Sequence, residues 1–362
     1  MDSGKTDNTD NTGSTGSTGN TGDTGTTMRA VVSRAGGSLG TPGSLVDATV
    51  DAPGRPTGRD LHVGVEAISV NPVDTKTRRK ENPDGTDRIL GWDAVATVLA
   101  VGDSAEGFAP GDRVYYAGSI ARAGSYAQQQ LVDSALVSPA PTTLSNEEAA
   151  ALPLTSLTAW EALFDKFQVG ADSRGTLLVI GGAGGVGSIL IQLAKELTQL
   201  TVIATASREE SAAWVTEMGA DVVVNHHDAD VIDQILAHAP GGVDYAFSAH
   251  SEGKTEFFSQ VMRAFGQIVS IDTASDLDLF ALKNKAITWH WEYMFARALH
   301  DYHPEEQGQA LRRIAELVDA GRLRTTLRRS VEPINADTIR AAHAELEDGH
   351  VMGKIVLNGW DS

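Results

Sequence analysis

The sequence predicts an α/β protein in which an irregular, β-rich domain precedes a doubly wound parallel sheet. Three observations carry this. From Met28 to about Pro153 the apolar runs are short and broken by Gly, Pro and Asp. From about Leu154 to Phe295 they alternate with helix-length amphipathic segments, the pattern of βαβ units. An uncharged strand, a glycine-rich turn and a helix then follow one another across 176–198.

Each element can be placed in order. The first domain carries strand-like runs at 28–34, 61–70, 94–102, 112–118 and 125–133, which are expected to pair mostly antiparallel. The second carries strands at 176–181, 201–205, 221–225, 243–248 and 266–272, with helices at 186–198, 209–219, 229–238 and 252–264 between them. The second of these helices stops at Met218-Gly219, a glycine C-terminal signal. Beyond Phe295, 306–320 and 335–348 read as amphipathic surface helices and 353–357 as a closing strand. The chain therefore divides into a tail (1–27), a first domain (28–153), a parallel-sheet domain (154–295) and a C-terminal return to the first domain (296–362).

Charge and composition exclude several function classes. Of 362 residues, 48 are acidic and 29 are Lys or Arg, for a net charge of −19. The tail holds four Asp and one Lys, so −16 stays on the body. Such a surface repels phosphate backbones and anionic lipid, so neither nucleic acid nor membrane is expected as a partner. With no cysteine there is no disulfide, thiolate nucleophile, iron–sulfur ligation or zinc held through sulfur, which is compatible with a cytoplasmic protein. The tail repeats Thr-Gly-x, with glycines at 13, 16, 19, 22 and 25, and is expected to be disordered. It has neither the basic start nor the apolar run of a signal peptide, and Met28, which opens the first strand, reads as the native start. The run 176–194 is uncharged for 19 residues, but five glycines break it into strand, turn and helix rather than a membrane span.

That turn carries the strongest functional signal. Gly182-x-Gly184-x-x-Gly187 matches the dinucleotide fingerprint and Gly181-x-x-Gly184-x-x-Gly187 its close variant. One glycine permits a tight turn, one lets a pyrophosphate approach the backbone, and the last lets helix pack against strand, while the helix N-terminus offers N–H donors to the phosphates. The predicted seat comprises Gly181, Gly182, Ala183, Gly184, Gly185, Val186 and Gly187 of a Rossmann sheet. The next strand ends Thr205-Ala206-Ser207-Arg208, with no carboxylate to receive the ribose hydroxyls of NAD. Ser207 and Arg208 instead offer donors and charge for a 2′-phosphate, which predicts NADPH. Glu209 and Glu210 fall in the first turn of the following helix, where acids are ordinary.

The motifs Ser69-Val-Asn-Pro-Val-Asp74, Gly91-Trp-Asp93, Ala109-Pro-Gly-Asp-Arg-Val114, Gly124-Ser-Tyr-Ala127, Leu157-Thr-Ala-Trp160 and Gly353-Lys-Ile-Val356 resemble, in order, the landmarks of medium-chain dehydrogenase/reductases. The likeness spans residues 28 to about 358. Within that superfamily the chain resembles quinone-oxidoreductase-like members and the zinc-type alcohol dehydrogenase-like proteins, above all through Trp289-His-Trp-Glu-Tyr-Met-Phe295. The resemblance implies a GroES-like catalytic domain joined to the Rossmann domain, and a homodimer. Zinc-using relatives hold their metal with a first-domain cysteine, the histidine of a Gly-His-Glu motif and a further cysteine or acid. Here Asp74 falls near the first ligand's place and Trp92 stands where that histidine would be, so no metal is expected. His226-His227 and His300 with His303 are spaced closely enough to chelate, but lie in polar stretches beside turns and read as solvated.

Without a metal, hydride from NADPH suits an acceptor that is already polarised: a quinone or an α,β-unsaturated carbonyl. An unactivated alcohol would need a Lewis acid. Asn71 and Asp74 are placed at the cleft, with Lys76 and Tyr116 as proton or hydrogen-bond donors. The competing reading is structural: Asn71-Pro72 shapes a turn, Lys76 is a surface lysine and Tyr116 packs inward. By resemblance, Thr158 and Ile271-Asp272-Thr273 line the nicotinamide, Asn225 lies near the adenine side and Lys354 near the phosphates. The run 287–295 alternates strictly, putting Ile287, Trp289, Trp291, Tyr293 and Phe295 on one face, to be covered by this chain's core or by an identical strand across a two-fold axis. Two rival functions stand beside this one: a zinc-dependent alcohol dehydrogenase, and a catalytically silent nucleotide-binding sensor or structural protein.

Overall fold

A computed structural model describes residues 26–82 and 84–360. The expected Thr/Gly-rich tail lies outside the described residues, apart from its last two.

The first domain contains β1 (Thr27–Ser33), β2 (Val46–Asp51), β3 (Asp60–Ser69), α1 (Pro72–Arg79), β4 (Arg88–Ile89), β5 (Ala94–Val101), β6 (Arg113–Tyr116), β7 (Gln129–Asp133), β8 (Val137–Pro139) and α2 (Asn146–Ala150). α3 (Pro153–Trp160) leads into the second domain and continues through Glu161–Lys166 as a wider-turned π-helix. Next come β9 (Arg174–Ile180), α4 (Gly185–Leu197), β10 (Gln199–Thr205), α5 (Glu209–Glu217), β11 (Val222–Val224), α6 (Val231–His238), β12 (Val243–Ser248), α7 (Thr255–Val261), β13 (Met262–Ser270) and β14 (Thr288–Trp291). The chain closes with α8 (Ala296–Leu299), α9 (Glu305–Asp319), β15 (Leu327–Val331), α10 (Ala336–Glu347) and β16 (Lys354–Asn358).

The six strands of the second domain pair in parallel in the order β11-β10-β9-β12-β13-β14. The chain winds outward from β9 in one direction and from β12 in the other, so the topological switch lies between those two strands. Helices cover both faces, which is why β9 is buried over five successive residues instead of alternating. β16 pairs antiparallel with the end of β3, and β15 pairs parallel with β16, so the C-terminal return adds two strands to the first domain's sheet.

Two expected elements change. The helix predicted for 252–264 starts only at Thr255, because Gly253 has φ +68, and it gives way to β13 at Met262. The alternating run 287–295 is strand only to Trp291. Trp289 packs into the core, Trp291 and Tyr293 are exposed, and Phe295 is buried beyond a turn. The five residues therefore do not share one face. No helix among the described residues is long and apolar enough to cross a membrane.

Candidate cofactor cleft and active site

The carboxyl ends of the parallel strands gather most of the predicted cofactor residues along one edge. Gly181 follows β9, Ser207 and Arg208 follow β10, Asn225 follows β11, and Ile271-Asp272-Thr273 follow β13. In open parallel sheets this edge, at the switch point, is where ligands bind.

The glycine turn is built as the fingerprint requires. Gly181 has φ +82, and Gly184 N–H donates to Gly181 O at 3.1 Å. A Cβ on Gly187 would lie 2.4 Å from Gly181 O, so only glycine lets α4 start this close to β9. A Cβ on Gly184 would meet nothing nearer than Gly181 O at 3.5 Å, leaving open space in front of its backbone. Gly184 caps α4, whose first N–H groups point into that space. This cradle fits the diphosphate of a nicotinamide dinucleotide, with Ala183, Gly185 and Val186 completing it.

At the adenosine end, Arg208 is exposed and its guanidinium donates to His350 O at 3.0 Å. No described carboxylate pairs with it, whereas neighbouring Arg328 and Arg329 are paired with Glu210 and Glu345. These residues line a cavity of about 370 Å³. Ser207 is exposed beside it. Asn225 closes its own turn, donating to Asp228 Oδ1 and accepting from His227 N. Thr158 is buried and donates to Leu154 O, and Asp272 accepts from Ser251 N and Ser270 Oγ, both at 2.7 Å.

The four predicted catalytic residues divide. Asn71 is buried: its Nδ2 donates to Asp93 Oδ2 at 2.8 Å and its Oδ1 accepts from Lys354 Nζ. Asp74 closes the capping box of α1, accepting from Asn71 N at 2.8 Å and from Tyr126 OH at 2.9 Å. Burial pushes its carboxyl up to about 7. Tyr116 donates to Gln130 Oε1 at 2.7 Å in the core, and burial raises its hydroxyl too. All three side chains are committed to buried hydrogen bonds within the domain, as the structural reading has it for Asn71 and Tyr116. Lys76 alone is exposed, and it has no hydrogen-bond or ion-pair partner among the described residues.

Lys354, which the resemblance places near the phosphates, lies against the cradle by its stem and not by its charge. Its backbone does reach the cradle, since Gly353 N–H donates to Ala183 O at 2.9 Å. Its ammonium turns the other way, into a buried network with Val70 O, Asn71 Oδ1 and Asp93 Oδ2. Asp93 also accepts from Ser69 Oγ at 2.6 Å and from Leu154 N at 2.7 Å. A buried carboxylate needs a counter-charge, and Lys354 supplies it. Nothing in Gly-Trp-Asp marks Asp93 as half of a buried ion pair with a lysine 261 positions away.

Zinc does not fit these residues. Trp92 presents an indole N–H that donates to Ser119 O at 3.2 Å and can ligate nothing. Asn71 Oδ1 and Asp93 Oδ2 already face a fixed ammonium, which would repel a dication. Among the described residues no group of three or more His, Asp or Glu stands close enough to hold a metal ion. The rings of His226 and His227 lie 4.3 Å apart, and His303 sits 3.3 Å from Glu305, without a further ligand for either pair.

Residues 57–142 match the alcohol dehydrogenase GroES-like domain, and 218–357 match the zinc-binding dehydrogenase family. A zinc-type alcohol dehydrogenase-like protein of Staphylococcus epidermidis is 39% identical over 340 residues, 91% of this chain and 99% of its own. The quinone oxidoreductase of Coxiella burnetii superposes with a TM-score of 0.77 at 25% identity, covering 92% of this chain and 100% of that one. A mycobacterial protein solved in complex with NADPH gives 0.78 at 25% identity, covering 91% and 99%.

Proposed function

We propose that this chain, which belongs to the medium-chain dehydrogenase/reductase superfamily among the zinc-type alcohol dehydrogenase-like proteins, is an oxidoreductase that uses NADPH to reduce quinones or α,β-unsaturated carbonyl compounds without zinc. The observation that carries the reading is the ammonium of Lys354 held against Asn71 and Asp93, beside Asp74 and Trp92, the positions at which the resemblance places metal ligands. A bound nicotinamide cofactor supplies the hydride. The chain's own residues then need only seat the cofactor, exclude water and provide a proton. Of the four predicted catalytic residues, Lys76 is the one that is exposed.

NADPH over NADH is supported by the guanidinium of Arg208, which has no carboxylate partner among the described residues, and by the lack of a carboxylate at the end of β10. The quinone class is supported by likeness to the Coxiella quinone oxidoreductase. A homodimer is part of the proposal: β14 is an edge strand of the parallel sheet, and Trp291 at its end and Tyr293 just beyond are exposed.

The test is NADPH and NADH consumption across quinones, enals and aldehydes, with metal content measured on the same sample. Turnover of a quinone or enal by metal-free protein is expected. Activity confined to alcohols and lost with a chelator would restore the zinc reading, and tight NADPH binding with no turnover of any acceptor would favour a silent sensor.

A further inference from the structure

His250 stands at the topological switch, and the chemistry around it calls for an anion. Because Ser248 of β12 is in register with Ile180 of β9, the residues just past these strands lie side by side. Ala249 N–H donates to Ile180 O at 3.3 Å, which brings His250 over the glycine turn. A Cβ built on Gly181 would lie 3.4 Å from His250 Cδ2 and 3.7 Å from its Nε2. Neither ring nitrogen hydrogen-bonds another described residue, and the ring is open to solvent on its outer side.

Its surroundings are cationic in a strongly acidic protein. Lys76, from α1 of the other domain, and Lys254, at the start of α7, both act electrostatically on the imidazole, and neither ammonium has an ion-pair partner among the described residues. His226, from beyond β11, also feels the charge of His250. The carboxylate that acts on it is Asp272, already committed to Ser251 N and Ser270 Oγ. Loss of hydration in the cleft, together with the two lysines, lowers the imidazole's affinity for a proton despite Asp272. Cations gathered around one imidazole repel one another until an anion enters between them.

We propose that His250 is a positioning residue for the cofactor diphosphate: its imidazole takes up a proton as the diphosphate enters, and Nε2 then donates to a phosphate oxygen. This rests on the reading that the glycine turn seats the cofactor. The proton comes from solvent and returns there when the cofactor leaves. Asp272, Lys254, Lys76 and His226 are the charged or titratable groups facing the ring, and the two negative charges of the diphosphate reverse the balance they set.

Titration calorimetry of NADPH into the full-length protein tests this at pH 7.5, in two non-phosphate buffers of different ionisation enthalpy. Wild type is expected to take up a measurable fraction of a proton, and its affinity should weaken between pH 6.5 and 8.5. His250→Gln keeps a donor but cannot titrate, so uptake and pH slope should vanish while affinity at pH 8.5 holds. His250→Ala should weaken binding about ten-fold at pH 6.5, the effect of one lost charge-assisted hydrogen bond. Binding by wild type without proton uptake, or uptake unchanged in His250→Gln, would overturn the inference alone. No NADPH binding at all would overturn the cofactor seat and this inference with it.

Discussion

The ammonium of Lys354 and the carboxylate of Asp93 face each other at 3.3 Å, with 4% of one side chain exposed and none of the other. The pair ties the C-terminal strand β16 to the end of β3, to Gly-Trp-Asp and, through Leu154 N, to the start of α3. Lys354 Cδ would also lie 2.8 Å from a Cβ on Gly185, so the same side chain underlies the cofactor cradle.

Removing one partner leaves the other charge buried without compensation. Lys354→Met should therefore cost about 3–5 kcal/mol in urea unfolding. The double variant Lys354→Met/Asp93→Leu should recover part of that loss, because no orphaned charge remains. If the double variant were as unstable as the sum of the two single changes, the ion pair would not be what links these elements.

A second buried cluster predicts pH dependence. Glu292, just past β14, lies against Glu161 of the π-helix, and Gln307 Nε2 donates to Glu161 Oε1 at 2.9 Å. Lys166 approaches Glu292 only to 3.5 Å, and neither Glu292 oxygen nor Gln307 Oε1 has a hydrogen-bond partner among the described residues. Burial first, then the neighbouring Glu161, push Glu292 up to about 9, and burial raises Glu161 as well. The folded protein thus holds a proton that the unfolded chain releases near pH 4.5. The resulting stability is full below that pH and is lost as pH rises through about 9, with a slope of at most about 1.4 kcal/mol per pH unit for one proton. Asp74 adds a loss of the same sign up to about pH 7. Glu292→Gln, which stays neutral, should flatten the decline in unfolding free energy between pH 5 and 9. An unchanged slope in that variant would remove Glu292 as its source.

How much of this was legible in the sequence follows from how local each signal is. The β-strands at 176–181, 201–205 and 243–248 and the glycine turn could be read because period, turn chemistry and helix start all lie within a few residues of one another. The π-turn at 161–166 and the strand β15 were not, since neither has an alternation or cap to announce it. At the candidate site, the residues expected at the cofactor fall along one edge because strand ends place residues by position alone. The catalytic candidates were less secure, because Asn71, Asp74 and Tyr116 are polar residues whose partners Asp93, Tyr126 and Gln130 lie 14 to 52 positions away. His250 had a signal, a histidine two residues past a buried parallel strand, but its value depends on β12 lying beside β9, which strand order alone reveals.

The glycines of the turn should separate into two kinds. Gly187→Ala places a methyl 2.4 Å from Gly181 O and 2.7 Å from Gly182 Cα, backbone atoms on both counts, so it should destabilise the protein by about 1–3 kcal/mol. Gly184→Ala meets only Gly181 O at 3.5 Å, and its φ of −71 suits any residue. It should therefore fold normally while its methyl crowds the diphosphate and weakens NADPH. Thermal unfolding and cofactor titration of the two variants would show this, and equal thermal stability would contradict the packing argument.

Arg208 should decide between the two nicotinamide cofactors. Its guanidinium carries no carboxylate partner, lies at the end of β10 and borders the cavity shared with Arg328 and His350. A 2′-phosphate there would gain a charge-assisted hydrogen bond of about 1.5–3 kcal/mol, or roughly a ten- to hundred-fold preference. Arg208→Ala should raise the Kd for NADPH by that factor and leave NADH nearly unchanged, since NADH has only hydroxyls to offer. The difference should also shrink at high salt, because the site is exposed and its charge is screened within about 10 Å at 0.1 M. Equal weakening of both cofactors would place Arg208 at the diphosphate instead, and tighter binding of NADH than NADPH by wild type would overturn the cofactor assignment itself.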